Sequence, residues 1–187
     1  MGKKPKLIIV MGLPATGKTT LSRKIAQPLG LPLINRDEMK VQIMDSVGRG
    51  DRVWSKKVGQ ASYSLLDYVM GQFTISKTSF IIESDFAPEF ANEKFNRIHK
   101  SGYDIVQVIC STDAEVLIHR WKKRAAEDAA HPSSTEGKPG LDELLLAVSR
   151  GPRQPLGVPG EVIRYDSTKL NNFYDTEIIN RLRSLLE

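Results

Sequence analysis

Apolar residues form short runs along the chain, separated by longer segments in which apolar and polar positions recur with helical spacing. Strand-length runs that alternate with longer helical segments are typical of a parallel sheet covered by helices. The predicted strands cover residues 7–11, 33–35, 79–83, 105–110 and 162–165. The predicted helices cover residues 18–29, 37–44, 55–75, 88–100, 113–130 and 170–186. The pattern therefore predicts an α/β domain of three layers.

Residues 131–160 depart from this alternation. They contain five prolines and several Gly and Ser residues around one apolar patch, LDELLLAVS. A linker between two domains is the alternative interpretation, but the residues after 160 are too few for another domain of ordinary size. We therefore predict a single domain over residues 1–187, with a lid insertion at about 131–160 that carries one short helix.

A phosphate-binding motif follows the first predicted strand. G-x-x-x-x-G-K-[ST] is matched in full by the consecutive residues Gly12, Leu13, Pro14, Ala15, Thr16, Gly17, Lys18 and Thr19. The glycines let backbone N–H groups turn towards a β-phosphate, and the Lys reaches the β- and γ-phosphates. Thr19 is the expected Mg²⁺ ligand, and Thr20 completes the predicted nucleotide site. A Gly-rich turn that only caps a helix is the alternative, and it is disfavoured by the strand and helix that flank the motif.

Acidic residues follow the second and third predicted strands. Ligands of open parallel sheets bind outside the carboxyl ends of the strands, so Asp37 should face the γ-phosphate and take a proton from an acceptor hydroxyl. Its alternative role is to cap the next helix. Glu83 and Asp85 are candidates for holding a magnesium-bound water or the acceptor, and an acidic turn is their alternative role.

Two arginines, Arg120 and Arg124, lie four residues apart on the helix predicted after the fourth strand, with Lys123 beside them. Arginine is suited to stacking on adenine and to neutralising charge on a transferred phosphoryl group. The predicted lid begins shortly after Arg124, so its closure would bring both arginines over the nucleotide. A solvated helix face is the alternative interpretation.

Net charge, cysteine content and the length of the first apolar run limit the classes of protein to which this chain can belong. A net charge of +5 admits a polyanionic partner, but the basic residues are spread along the chain, so nucleic acid is the less favoured partner. Cys110 is the only cysteine, which excludes an internal disulfide and a cysteine metal site. The first apolar run is too short for a signal peptide or a membrane span, so we expect a cytoplasmic protein without membrane contact.

The phosphate-binding motif does not by itself separate kinases from GTPases or motor ATPases. The chain has no N/T-K-x-D guanine signature at a strand end, which argues against a regulatory GTPase. A remodelling ATPase would need a hydrophobic-Asp Walker B segment and an extra helical domain, for which the chain is too short. A nucleotide-switched binding module stays open as an alternative to an enzyme.

Several segments together resemble the zeta-toxin-like and polynucleotide-kinase-like P-loop kinases, a group often labelled AAA-type predicted kinases that also includes chloramphenicol phosphotransferase. The resemblance lies in GLPATGKTTLSRKIA, INRDEMK, IIESDFAPEF, HRWKKRAAEDAAHP and PLGVPGEVIRYDST, in this order along nearly the whole chain. It implies a five-stranded parallel sheet with the strand order 2-3-1-4-5.

The resemblance also implies roles for single residues. Asp37 matches the Asp with which polynucleotide kinases activate a 5′-hydroxyl. Lys40 stands where those kinases have an Arg that holds the acceptor's phosphate, and Lys cannot reproduce the bidentate contact of Arg, which disfavours a polynucleotide acceptor. Arg120 resembles an adenine-stacking residue and Arg124 a phosphate-contacting residue. Thr168 resembles part of the loop that borders the adenine.

We therefore predict a phosphotransferase that uses ATP and Mg²⁺ to move the γ-phosphoryl group to a hydroxyl of a small acceptor. The predicted catalytic residues are Lys18, Asp37 and Arg124. The predicted acceptor-binding residues are Asp37, Lys40, Glu83 and Asp85, and either Arg150 or Arg153 is expected to add a contact. The alternatives are a polynucleotide 5′-hydroxyl kinase and a nucleotide-switched module without an acceptor. We expect a monomer or a weak homodimer.

Overall fold

The sheet has the predicted strand order. The computed structural model describes residues 3–129, 140–169 and 172–187. Five parallel strands are ordered β2-β3-β1-β4-β5, and each predicted strand agrees with the structure to within one residue at either end. Their bounds are Lys6–Met11 (β1), Leu33–Asn35 (β2), Phe80–Glu83 (β3), Asp104–Ser111 (β4) and Glu161–Asp166 (β5). The α/β three-layer fold is therefore confirmed.

Seven helices are present in the described part of the chain. Their bounds are Lys18–Leu29 (α1), Arg36–Val47 (α2), Arg52–Ser76 (α3), Pro88–Lys100 (α4), Ala114–Ala129 (α5), Leu141–Ser149 (α6) and Asn172–Leu186 (α7). Helix α3 begins earlier than predicted because Asp51 caps it, accepting a 2.8 Å hydrogen bond from the backbone N–H of Trp54. None of these helices is long and apolar enough to cross a membrane.

The central strand β1 is buried on both faces, as a parallel strand between two helical layers should be. Leu7, Ile9 and Met11 pack with side chains of α3 and α4, whereas Ile8 and Val10 pack with α1 and α7 on the other face. This division follows from the alternation of side chains along a strand. The two apolar clusters hold the carboxyl end of β1, where the phosphate-binding motif starts, between the ends of β3 and β4.

The predicted lid segment contains the expected short helix. Residues 131–139 of that segment lie outside the described residues. Helix α6 is the LDELLLAVS patch, and its Leu144 is buried with Leu13 and Leu117. The apolar side of α6 is therefore packed beside the phosphate-binding motif.

The end of the same segment belongs to the core. Leu156 and Val158 are buried in the cluster that covers one face of the sheet. The fully buried side chain of Gln107 accepts a 2.7 Å hydrogen bond from the Leu156 N–H and donates to the Leu156 carbonyl at 3.2 Å. A lid that moves as a unit would therefore have to end before Leu156, whereas the predicted lid extends to about residue 160.

Candidate active site

Residues 12–19, called the phosphate loop below, connect β1 to α1 in a conformation that few residues tolerate. A Cβ added to Gly12 would lie 2.4 Å from the carbonyl oxygen of Cys110, so only glycine fits this approach to β4. Gly17 and Ala15 have left-handed backbone angles, with φ of 80° and 66°. Such angles are unfavourable for alanine and are typical of ligand-binding loops. Surrounding contacts must therefore hold the loop in place.

Buried hydrogen bonds supply that support. Thr16 Oγ1 donates to the Leu13 carbonyl at 2.8 Å, and Ser167 Oγ donates to the Thr16 carbonyl at 2.9 Å. Helix α1 starts without a side-chain cap and without an acidic residue in its first turn. Its first N–H groups can therefore serve an anion, as a phosphate-binding helix requires.

The other residues of the predicted nucleotide site differ in exposure. Leu13 and Ala15 are buried, Pro14 is half-buried and Thr20 is exposed. The side chain of Lys18 is only 8% exposed, and its Nζ lies 4.0 Å from Asp37 Oδ2. This distance is longer than a hydrogen bond, so Asp37 does not hydrogen-bond to the Lys18 ammonium group.

Behind the phosphate loop lies the carboxylate of Glu83, which is fully buried at the end of β3. It accepts hydrogen bonds from Thr19 Oγ1 at 2.7 Å, from Ser22 Oγ at 2.8 Å and from Asn35 Nδ2 at 2.8 Å. Burial raises the pKa of Glu83, although its hydrogen bonds and the nearby charge of Lys18 oppose the rise. The acid therefore lies directly behind the hydroxyl of the predicted magnesium ligand.

Asp37 is not the cap of α2. Asn35 has that role, since its Oδ1 accepts hydrogen bonds from the N–H groups of Asp37 at 2.9 Å and Glu38 at 3.0 Å. The Asp37 side chain is 50% exposed. Its Oδ1 accepts a 2.7 Å hydrogen bond from Arg36 Nη1, while Oδ2 is the atom nearest Lys18. The carboxylate thus lies beside the phosphate loop and is available to a ligand.

The predicted acceptor residue Lys40 lies on α2 after Asp37 and points to α3. Its Nζ donates a 2.7 Å hydrogen bond to Ser55 Oγ. Burial lowers the pKa of Lys40, and the charges of Arg36 and Arg52 lower it further. Three cationic side chains therefore share this corner between α2 and α3.

The two acids after β3 face different partners. Glu83 faces Thr19, whereas Asp85 accepts two hydrogen bonds from Arg153, from Nε at 2.5 Å and Nη2 at 2.7 Å. The Asp85 carboxylate holds the pKa of Arg153 above its usual value. Arg153, and not the exposed Arg150, therefore reaches the strand ends.

Arg120 and Thr168 come together at the loop after β5. Arg120 donates to Ser167 Oγ at 3.1 Å and to the Ser167 carbonyl at 2.7 Å. Thr168 Oγ1 donates to Asp166 Oδ1 at 2.6 Å. Since Ser167 also donates to the phosphate loop, Arg120 is linked to that loop through Ser167. Arg124 lies one helical turn farther along α5 and is exposed.

A cavity of about 370 Å³ opens beside the phosphate loop. The phosphate loop contributes Leu13 and Thr16, and the turn between β4 and α5 contributes Thr112. Helix α5 contributes Leu117, and the segment after α6 contributes Pro152. Space for a ligand therefore exists directly against the loop that the sequence motif defines.

An AAA domain family model (AAA_33) matches residues 7–137 of the chain, which is more than half of its length. The chain belongs to this AAA domain family. The match includes the phosphate loop, the acids that follow β2 and β3, and both arginines of α5. The P-loop assignment made from the motif is thereby confirmed.

Solved structures share the fold of this AAA domain over nearly the whole chain. A candidate kinase from Chloroflexus aurantiacus j-10-fl is 33% identical, with a TM-score of 0.86, covering 97% of this chain and 98% of that one. A gluconokinase from Sinorhizobium meliloti 1021 is 16% identical, with a TM-score of 0.58 and coverage of 99% and 97%. The Mycobacterium tuberculosis APS kinase, solved with AMPPNP and APS, is 15% identical, with a TM-score of 0.58 and coverage of 97% and 99%. No curated protein matches the chain.

Several of these similar structures are kinases, which agrees with the predicted resemblance to P-loop kinases. The narrower placement among zeta-toxin-like and polynucleotide-kinase-like enzymes stays a prediction. Gluconokinase and APS kinase are similar to this AAA domain in fold alone, since their identity to it is low.

Several residues of the site were not singled out from the sequence. Asn35 was detectable, because an Asn directly before an amphipathic helix is a standard N-cap signal. Ser22 lies three residues after Thr19 and shares its helix face, which is a weaker signal. Arg36 and Ser167 lie in the segments INRDEMK and PLGVPGEVIRYDST, but nothing in those segments predicts their partners, which only the tertiary structure reveals.

Proposed function

We propose that this AAA domain transfers the γ-phosphoryl group of ATP to a hydroxyl of a small acceptor, with Asp37 as the general base. The observation that carries the proposal is the position of the Asp37 carboxylate, 4.0 Å from Lys18 Nζ. A phosphate-loop Lys contacts the β- and γ-phosphates, so an acid at this distance lies beside the group to be transferred. Asn35 takes the capping role, which leaves the half-exposed carboxylate free for the acceptor.

The phosphates of ATP would be bound by the backbone of the phosphate loop, the N-terminus of α1 and Lys18. The low exposure of Lys18 favours this role, because a charge acts more strongly where water is excluded. Arg124 would neutralise the charge that develops on the transferred phosphoryl group. Arg120 and Thr168 would lie beside the adenine.

Thr19 Oγ1 would hold Mg²⁺ together with the phosphates of ATP. The residues fit this ion, since Thr19 offers a hard oxygen donor and the buried Glu83 carboxylate lies 2.7 Å behind it. No group of three or more His, Cys, Asp or Glu among the described residues is arranged to hold a metal. An ion carried mainly by substrate phosphates does not need one. When bound, Mg²⁺ supplies neutralisation of the phosphate charge.

These groups account for the bond that forms, the bond that breaks and the proton that moves in the transfer step. The acceptor oxygen forms a bond to the γ-phosphorus, and the bond from that phosphorus to the bridging oxygen of ADP breaks. The electron pair of the broken bond leaves with ADP, and the acceptor proton passes to Asp37. Lys40 and Asp85 are assigned to the acceptor side of this step, and the fully buried Glu83 is assigned to the metal side behind Thr19.

The test is a screen of the purified protein with γ-labelled ATP and Mg²⁺ against pooled sugars, nucleosides, antibiotics and 5′-hydroxyl oligonucleotides. Asp37→Asn is expected to lower transfer by about 10³-fold, within the usual contribution of a general base, while ATP still binds. Glu38→Gln is the matched control, because Glu38 is the next acid of the same helix turn and pairs with Arg23 at the surface. The control should transfer at the wild-type rate.

Each outcome of the screen has a distinct meaning. Unchanged transfer by Asp37→Asn removes Asp37 as the base. Labelling of oligonucleotides alone supports the polynucleotide alternative. ATP binding without any labelled product supports a nucleotide-switched module instead of a kinase.

A further inference from the structure

The contact between Arg36 and Asp37 is unusual for neighbours on a helix. Successive helical residues point in different directions, so adjacent side chains do not normally face each other. Arg36 Nη1 nevertheless donates a 2.7 Å hydrogen bond to Asp37 Oδ1. The guanidinium group must therefore be turned towards Asp37 by something outside α2.

Helix α3 supplies that constraint. The Arg36 guanidinium carbon lies 4.1 Å from the ring centroid of Tyr63, and Nη2 donates to the carbonyl oxygen of Gly59 at 3.4 Å. Only 16% of the Arg36 side chain is exposed. Stacking on an aromatic ring together with a backbone contact fixes the plane of a guanidinium group. Arg36 is therefore held by α3 through contacts that are separate from its bond to the Asp37 carboxylate.

Tyr63 is itself anchored to the strand end that carries the buried acid. Its ring packs against the apolar core, and its hydroxyl donates to the Asp85 carbonyl at 3.4 Å. A continuous set of contacts thus runs from the end of β3 through Tyr63 and Arg36 to Asp37.

Gly59 leaves the space that the guanidinium group fills. A Cβ at this position would lie 3.2 Å from Arg36 Nη2, closer than ordinary van der Waals contact. Glycine is less favourable than alanine inside a helix, so α3 is weakened where Arg36 approaches. Arg36 Nε is also buried without a hydrogen bond. Neither feature stabilises the fold, which favours a role for the arrangement in the site.

We infer that Arg36, clamped against Tyr63 and Gly59 of α3, is a positioning residue that sets the orientation of the Asp37 carboxylate. The inference rests on the proposed function of Asp37 as base. A half-exposed Asp near a helix start can rotate about its side-chain bonds, whereas a base must meet the acceptor hydroxyl in a narrow geometry. The bond to Oδ1 leaves Oδ2 directed to the phosphate loop.

The sharpest test is Gly59→Ala, with Gly71→Ala as the matched control. Both glycines lie in α3, but an added Cβ meets nothing within 4 Å at Gly71. Gly59→Ala should displace the guanidinium group by a few tenths of an ångström and lower kcat by roughly three- to tenfold, with KM for ATP unchanged. Gly71→Ala should unfold at or above the wild-type temperature, because it replaces a helical glycine with no atom near the new Cβ.

A second pair of variants separates orientation from mere structural support. Arg36→Lys keeps the charge but loses the planar fork, and we expect kcat to fall by about tenfold or more. Arg36→Ala should regain activity when ethylguanidinium is added, which a purely structural defect would not do. Combined with Asp37→Asn, Arg36→Lys should cause almost no further loss, because the two residues act as a unit.

A readout without any acceptor keeps this inference separate from the proposed function. The ¹³C signal of the Asp37 carboxyl group, assigned by its loss in Asp37→Asn, reports the contact directly. It should move in Gly59→Ala and Arg36→Lys and stay in place in Gly71→Ala. An unmoved signal, or equal kcat for the two glycine variants, overturns the positioning role even if transfer depends on Asp37. Absence of transfer by the wild type, with the signal moved, counts against the kinase proposal alone.

Discussion

The two sides of the site are built differently. On the proposed phosphate side, Lys18 is 8% exposed and Glu83 is fully buried, and the groups proposed to bind phosphate are largely backbone N–H groups. On the acceptor side, Asp37 is 50% exposed and is held by the side chain of Arg36. Phosphate binding is therefore a property of one continuous segment, whereas the acceptor side depends on separate elements that the fold brings together.

The electrostatics of the two sides also differ. The phosphate side holds a buried acid whose hydrogen bonds come from hydroxyl and amide groups. The acceptor side holds cations crowded around Lys40, with Asp37 as a nearby acid. Substitutions on the phosphate side should therefore affect every activity of the protein, and those on the acceptor side should affect one substrate.

The largest effect is expected from Lys18→Ala. Removing this buried cation, which is proposed to contact the transferred phosphate, should lower kcat/KM by about 10³-fold and weaken ATP binding. Lys24→Ala is the control, because Lys24 lies on the same helix and pairs with Asp175 away from the phosphate loop. Calorimetric titration with ATP and initial rates would check both. Full activity in Lys18→Ala contradicts the whole assignment of the phosphate side.

Glu83→Gln should have the next largest effect. The amide oxygen can still accept, but the amide nitrogen cannot, and the charge behind Thr19 is lost. We therefore expect a loss of about 10- to 100-fold in transfer and a higher Mg²⁺ requirement. Rates measured over a Mg²⁺ series would check this. A wild-type Mg²⁺ dependence would show that Glu83 has no part in holding the ion.

The stability of the same variant, Glu83→Gln, should also depend on pH differently from that of the wild type. Burial raises the pKa of Glu83, so the folded protein binds this proton more tightly than the unfolded chain. The resulting stability is present at low pH and is lost as pH rises through the folded-state pKa. The stability of Glu83→Gln relative to wild type should therefore rise as pH increases from acid to neutral. Thermal unfolding from about pH 4 to about pH 8 would test it.

The smallest effect is expected from Lys40→Met on the acceptor side. Loss of one charged contact should raise KM for the acceptor by roughly tenfold and leave KM for ATP unchanged. The fold should lose little, since burial, followed by the like charges of Arg36 and Arg52, already lowers the pKa of Lys40. If KM for ATP rose as much as KM for the acceptor, Lys40 would not belong to a separate acceptor side.

Local signals predicted much of the fold and part of the site. Helices α1 and α4 begin and end where the pattern placed them, because a phosphate-binding turn and Pro88 mark their starts. The start of α2 was less accurate, since the capping role belongs to Asn35 and not to Asp37. Whether Glu83 or Asp85 faces Thr19 depends on strand register and on Arg153, which lies 68 residues from Asp85 in the chain.

The sequence by itself determined the alternation of strands and helices and the phosphate loop, because both depend on local periodicity and on backbone angles that few residues tolerate. The order of the strands follows no local rule. It was implied by the resemblance, and the tertiary structure confirmed this order. Only the tertiary structure decided which side chains orient Asp37, since Tyr63 and Gly59 approach it from another helix. Contacts of this kind depend on how helices pack, and packing of distant segments leaves no periodic signal in the chain.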